Sequence, residues 1–348
     1  MYSLKFSTTS YIHNHSHSSF IYEFLHEVFN NENSKLRDNQ SHRDAIIFDM
    51  MGDLYTIPVS GGKAKRITEG MPYDVHPRYS PDGKSILFIS DKSGSDNLWT
   101  MDIESKEQKQ LTKDKNKYHV SADWSPDGQY IVGTGGRRNI KPFIIHKDGG
   151  GGAELLSEQK ANKYIDPAFS ADGRYIYFST RRGAWNYNAQ LPQYQIMSFD
   201  REDADTEMLT SRYGSAFTPT LSNDGNWMVY GTRFEEHTGL VLRNLKTGEE
   251  RWLAYPVQRD EQESIAPLGV LPAMAFTPDN KKLIVSYGGK LYSIGINDSN
   301  ASEIPFSVDL DLDLGPMLDF KYPIEDNAEG LVTQIRDAKP SEALFIRF

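Results

Sequence analysis

A four-residue turn recurs along this chain at nearly constant spacing: Ser80-Pro81-Asp82-Gly83, Ser125-Pro126-Asp127-Gly128, Ser170-Ala171-Asp172-Gly173, Ser222-Asn223-Asp224-Gly225 and a weaker Thr277-Pro278-Asp279-Asn280. Successive copies begin 45, 45, 52 and 55 residues apart, the length of one four-stranded propeller blade. Proline in second place pre-sets φ for a type I turn, Asp accepts local backbone N–H bonds, and Gly supplies the positive φ that closes a tight hairpin. A strand therefore ends at each Ser, and another begins after each Gly.

The flanks agree. Apolar, β-branched or aromatic runs follow the turns from Ser85, Tyr130, Tyr175, Trp227 and Lys282, as expected of well-buried strands. A second hairpin completes each unit, beginning at Asp53, Asn97, Pro142, Tyr194, Gly239 and Lys290. Six second halves predict an all-β propeller of six four-stranded blades, which must stack radially and close into a ring.

Closure is the irregular part. Gln40-Ser41-His42-Arg43 stands where blade one should have its turn, and Ile335 to Ser341 resembles an inner strand approaching a turn. The expectation is that residues 331–341 complete blade one or start a partial seventh blade. Residues 1–42 form a Ser-, Asn- and His-rich extension, with Phe20, Ile21, Phe24, Leu25, Val28 and Phe29 at helical spacing. A short helix over about 20–29 and a polar linker are expected there, then the propeller over 43–341 and a truncated strand over 342–348.

Composition narrows the function. The chain has 348 residues, 48 acids against 38 bases, and a net charge of −10. No basic block provides an electrostatic footprint for a phosphate backbone, so nucleic acid is not an expected partner. No apolar run approaches the roughly 18 residues of a membrane span. The absence of cysteine removes disulfides, thiolate catalysis and cysteine metal sites.

The unit from His76 to Thr112 resembles the repeat of TolB-type β-propellers, also found in tricorn-like proteases and prolyl-oligopeptidase relatives. The stretches around Phe48–Thr68, Gly288–Asn297 and Val308–Asp326 are similar to the N-terminal propeller of bacterial proteins in which such repeats precede an amidohydrolase domain. The resemblance covers about residues 44–341 and implies an accessory propeller in an exported or periplasmic protein, although no signal peptide is visible.

Catalytic signatures are weak. His13, His15 and His17 lie in a polar segment without supporting groups, and no Gly-x-Ser-x-Gly elbow occurs. Asp309, Asp311 and Asp313 resemble a calcium loop, but alternation with Leu310, Leu312 and Leu314 fits a strand better. No catalytic residue, metal or cofactor is expected. The alternative is a hydrolase at the channel mouth, with His76 or His119 as general base beside Asp74 or Asp166.

The preferred expectation is a non-catalytic module for a peptide or protein partner, such as the hydrolase domain of a larger protein. Its surface would be the rim opposite the Ser-x-Asp-Gly turns. Asp74, His76, His119 and Asp166 sit in the segments entering the inner strands, while Lys92, Arg137, Arg182 and Arg233 follow the second strands. The bases would receive a carboxylate or pair with acids of their own blades. Blade four adds Trp185 and Tyr187 in an insertion from Gly183, and the link from Tyr255 to Leu271 is a candidate lid.

Overall fold

The computed structural model describes residues 3–7, 27–29, 45–137, 139–156, 162–182, 190–264, 266, 268–311 and 336. The chain divides into the units Met1–Leu312 and Asp313–Phe348, and everything below concerns the first. Among the described residues all of its regular elements are strands, arranged as six antiparallel four-stranded blades and one small additional sheet. The innermost strands are Glu27–Phe29, Asp74–Tyr79, Tyr118–Trp124, Asn162–Phe169, Phe217–Leu221 and Ala275–Phe276. Each lies against the next around the axis, and the first lies against the last.

The repeated turn works as its residues dictate. In blade two the Gly83 N–H donates to the Ser80 carbonyl at 2.8 Å, Ser80 Oγ donates to Asp82 Oδ1 at 2.6 Å, and Ser85 N–H donates back to Ser80 Oγ at 2.9 Å. Gly83, Gly128, Gly173 and Gly225 all have φ between 66° and 74°. Asn280 takes this place in blade six with φ 55°, a conformation that Asn tolerates better than most residues. The turns also interlock. A β-carbon on Gly128 would meet the Pro81 ring at 3.6 Å, and one on Gly173 would meet Pro126 at 3.6 Å. The second residue of one turn thus packs over the glycine of the next.

A second recurring contact fastens the outer strands of blades one, two and four. Thr68, Thr112 and Thr210 accept the N–H groups of Leu54, Leu98 and Ile196 at 2.8 to 2.9 Å. Between the blades lie apolar clusters, for example Ile47 and Leu54 with Tyr79, Phe88 and Met101, all buried. Such burial contributes about 25 cal/mol per Å² of apolar surface and makes neighbouring blades depend on each other.

Ring closure differs from the expectation. The innermost place of blade one is filled by Glu27–Phe29, which pairs antiparallel with Ala45–Met50. Those three residues, expected to end a helix, are extended because they complete a sheet edge. Residues 20–26 lie outside the described residues, as does 331–341 apart from Arg336. The seam is reinforced by Ser3–Ser7 paired antiparallel with Phe306–Asp311, which in turn runs parallel to Gly62–Lys63. The Gly62 and Ala64 N–H groups donate to the Pro305 and Ser307 carbonyls at 2.9 and 2.8 Å. Beneath them Phe48, Tyr55, Ile284, Leu291 and Phe306 join blades one and six. Asp309, on this strand as expected, pairs with Lys63 at 2.6 Å in the open.

Candidate functional site: an axial cavity closed at one end

Four inner strands are irregular at the same height. Their register slips between Val75 and Arg78, His119 and Ser121, Ile165 and Ala168, and Phe217 and Thr220. In three of them the bulge carries a non-glycine residue followed by proline: His76, Asp166 and Thr218, with φ of 56°, 52° and 56°. Positive φ is costly for such residues, most of all for a β-branched one. Four residues before the turn, this bulge lines the axis with His76, Ser121, Asp166, Thr218 and Ala273. Two residues before the turn come Arg78, Asp123, Ala168, Thr220 and Ala275.

These two tiers line a cavity of about 520 Å³. It opens at the turn rim, where Pro81, Asp82, Asp127, Ala171 and Asn223 form its edge. The opposite end is crossed by the link between blades five and six. Val270 and Leu271 of that link pack with Phe217 and Val229 of blade five, while Leu268 packs with the Val75 and Leu87 cluster across the axis. Gly269 stands so close to Asp166 that a β-carbon would fall 3.3 Å from its Oδ1. An ionic clasp anchors the link: Arg233 holds Asp260 through Nε at 3.1 Å and Nη2 at 2.5 Å, and Glu263 through Nη1 at 2.5 Å. Thr238 Oγ1 donates to Asp260 Oδ2 at 2.5 Å and accepts the Asp260 N–H at 3.1 Å.

The cavity is two-sided. Blades two to four supply charge, and blades five and six present Thr220, Leu221, Ala273, Ala275 and Phe276. Asp166 donates its N–H to Ser121 Oγ at 2.9 Å, and its Oδ2 accepts from Ser179 and Thr218 at 3.2 and 3.1 Å. Burial nevertheless pushes its carboxyl up to about 6, against the pull of those hydroxyls, Lys163 and Arg78. Asp123 is also raised to about 6 by burial, opposed by Arg78. Arg78 is lowered by burial, opposed by Asp123, Asp166 and Asp49. A half-enclosed wall with more acid than base favours a visiting cationic group.

The sequence-predicted residues separate into groups. His76 and Asp166 line the cavity. Asp74 is buried, its carboxyl raised by burial against the Ser90 and Thr68 hydroxyls. His119 turns from the axis, with Nε2 3.1 Å from Asp114 Oδ2 and its ring edge-on to Phe143, and burial lowers its pKa. The four bases have separate surroundings: Lys92 donates to Gln108 and lies over the Trp99 ring, Arg233 is held by Asp260 and Glu263, and Arg137 is exposed. The side chain of Arg182 and the residues Trp185 and Tyr187 lie outside the described set. Sequence analysis missed Arg78, Asp123 and Thr218. Their signal is the two-residue alternation back from the turn serine, through Arg78 to His76 and through Asp123 to Ser121.

Among the described residues, no cluster of three or more His, Cys, Asp or Glu is arranged to hold a metal, and no helix is long and apolar enough to cross a membrane.

Residues 34–186 match the family model of the tricorn protease N-terminal β-propeller domain. The chain carries a TolB-like, tricorn-like β-propeller. This TolB-like propeller is 28% identical over 182 residues to the Tol-Pal system protein TolB of Francisella tularensis, covering 51% of this chain and 39% of that relative. It thus spans under half that relative's length. Its fold resembles TolB from Acinetobacter baumannii with a TM-score of 0.60 at 16% identity, covering 83% of this chain and 64% of the other. Against the tricorn protease the TM-score is 0.58 at 14% identity, covering 85% of this chain and 27% of that protein.

Proposed function

We propose that this propeller is a non-catalytic binding module for a peptide or protein segment, which enters the axial cavity from the turn rim. The observation that carries this reading is a cavity open at one rim, crossed at the other by a clasped link, and lined on one side by Arg78, Asp123 and Asp166. The acidic excess favours a partner segment bearing a Lys, an Arg or a free amino terminus. The likeness to TolB and to the tricorn propeller supports a protein-binding role. In a larger protein, the module would serve a hydrolase of the amidohydrolase or tricorn-like class by holding or admitting its substrate.

The test is selection of a pooled peptide-display library on the purified chain, compared with Asp123→Asn and Asp166→Asn. Enrichment of cationic sequences by the wild type, reduced about tenfold or more in both variants, is the expected result. Equal enrichment by all three proteins would remove the cavity from the binding surface. Turnover of peptide or amide substrates by the purified chain would overturn the non-catalytic reading and favour a hydrolytic site at the mouth.

A further inference from the structure

The two acids of the axial cavity lie at different depths. Asp123 stands two residues before Ser125, and Asp166 four residues before Ser170. At the rise of a strand the first is about 7 Å in from the turn rim and the second about 10–13 Å, the bulge taking up part of the rise. Both line the cavity, which opens at that rim. Behind Asp166 comes the link, where a β-carbon on Gly269 would fall 3.3 Å from the Asp166 Oδ1. Asp166 therefore stands at the blind end.

Depth decides how a cation arrives there. From Cα to Nζ a Lys side chain spans about 6 Å, five bonds of roughly 1.5 Å in a zigzag, and Arg is one bond longer. A segment lying across the rim can thus offer a side chain to Asp123 but not to Asp166. To reach Asp166 the main chain itself has to enter. The link closes the far end, and a cavity of about 520 Å³, within the range of small-ligand pockets, leaves little room for a chain to turn and go out by the same mouth. What enters is an end. Charge selects which one. Lys163 and Arg78 act on the Asp166 carboxyl, and Arg78 feels Asp123, Asp166 and Asp49 in turn. Three acids against two bases leave one negative charge, which an ammonium balances and a carboxylate would double. The Asp166 Oδ2 takes the Ser179 and Thr218 hydroxyls, and Oδ1 receives neither.

We propose that the blind end of the axial cavity, at Asp166, binds the free amino terminus of a peptide threaded end-first from the turn rim. This rests on the binding reading above and narrows it from any cationic segment to a chain end. The terminal ammonium donates to the Asp166 carboxylate, a charge-assisted bond. Three or four extended residues then cover the depth, passing the small side chains of Ala168, Ala273 and Ala275.

The immobilised full chain is offered two mixtures of random hexapeptide amides at about pH 7.5, one with free amino ends and one N-acetylated, and retained peptides are read by mass spectrometry. The free mixture should be retained about tenfold or more over the acetylated one. That advantage should vanish in Asp166→Asn, a change chosen because Asn tolerates the φ of 52° at this place. In the wild type, a photo-leucine at position one should cross-link near Thr218 and Leu271, and one at position five near Pro81 and Asp127 at the rim. Equal retention of the two mixtures, or cross-links in the reverse order, overturns the proposal whether or not Asp166→Asn folds. So does displacement of the free mixture by ethylamine at equal concentration, which would assign a small amine. Where equal retention still falls in Asp123→Asn, the broader binding reading stands; where neither mixture is retained, both readings fall.

Discussion

Asn280 Oδ1 accepts the backbone N–H of Asn223 at 2.9 Å, joining the turn of blade six to that of blade five. Elsewhere this junction is a proline or alanine over a glycine, as Pro81 is over Gly128. The departure from the repeat motif at Asn280 thus replaces a packing contact by a hydrogen bond.

Asn280→Gly keeps a residue at ease with φ 55° but removes the acceptor. It should destabilise the protein by about 0.5–1.5 kcal/mol. Asn280→Ala loses the bond and also strains the turn, and should cost more. Chemical denaturation measures both, and equal costs would show that the backbone conformation contributes nothing.

The recurring threonines predict a common effect. Thr112→Val is nearly isosteric and leaves the buried Leu98 N–H without its 2.9 Å acceptor. A loss of about 1–3 kcal/mol is expected, with the same sign for Thr68→Val and Thr210→Val. A neutral Thr112→Val would show that the Leu98 N–H finds another partner.

The clasp at Arg233 makes the link separable from the ring. Arg233→Met leaves Asp260, which is 1% exposed, without its guanidinium, and breaking such a buried pair from one side costs about 3–5 kcal/mol. The structure can avoid most of that cost by letting residues 256–271 lift away. Hydrogen exchange should therefore accelerate in the link far more than in the blade-five strand His237–Asn244. Uniform acceleration over both would mean that the whole blade opens instead.

The cavity carboxylates give a pH dependence whose sign is fixed. Asp123 and Asp166 hold their protons up to about 6 in the folded chain, against an ordinary 3.8. Folding therefore favours the protonated forms, and stability falls as pH rises from about 4 to about 6, then levels. Both side chains are only partly buried, and solvent screening leaves about 1–2 kcal/mol per group. Subtracting the profile of Asp123→Asn from that of the wild type should isolate one such step. Parallel profiles would place the Asp123 carboxyl at an unperturbed value.

The fold was legible because its decisive information is local. Ser, Pro, Asp and Gly at fixed places specify a turn from their own side chains and φ preferences, and repetition supplies the rest. Blade one was less legible, since Glu27–Phe29 is too short for period two to stand out from the helical spacing of Phe20 to Phe29. It becomes a strand only because Ala45–Met50 and its neighbours need an edge partner. His76 and Asp166 were found from their place before the inner strands. Arg78 and Asp123 are equally regular in the sequence, but their meaning depends on which face of the strand meets the axis. The link from Tyr255 to Leu271 was legible as a candidate lid, but nothing local says that its Leu268 joins the apolar cluster that includes Val75 and Leu87.

The seam of the ring sets an order of assembly. Ser3 lies opposite Asp311, and Gly62 beside Phe306, so the seam waits for strands that are synthesised far apart in time. Contacts so distant along the chain form slowly. During translation the early blades must therefore persist as an open arc with an exposed sticky flank, and a holding chaperone or a slowed ribosome should raise the yield of closed rings.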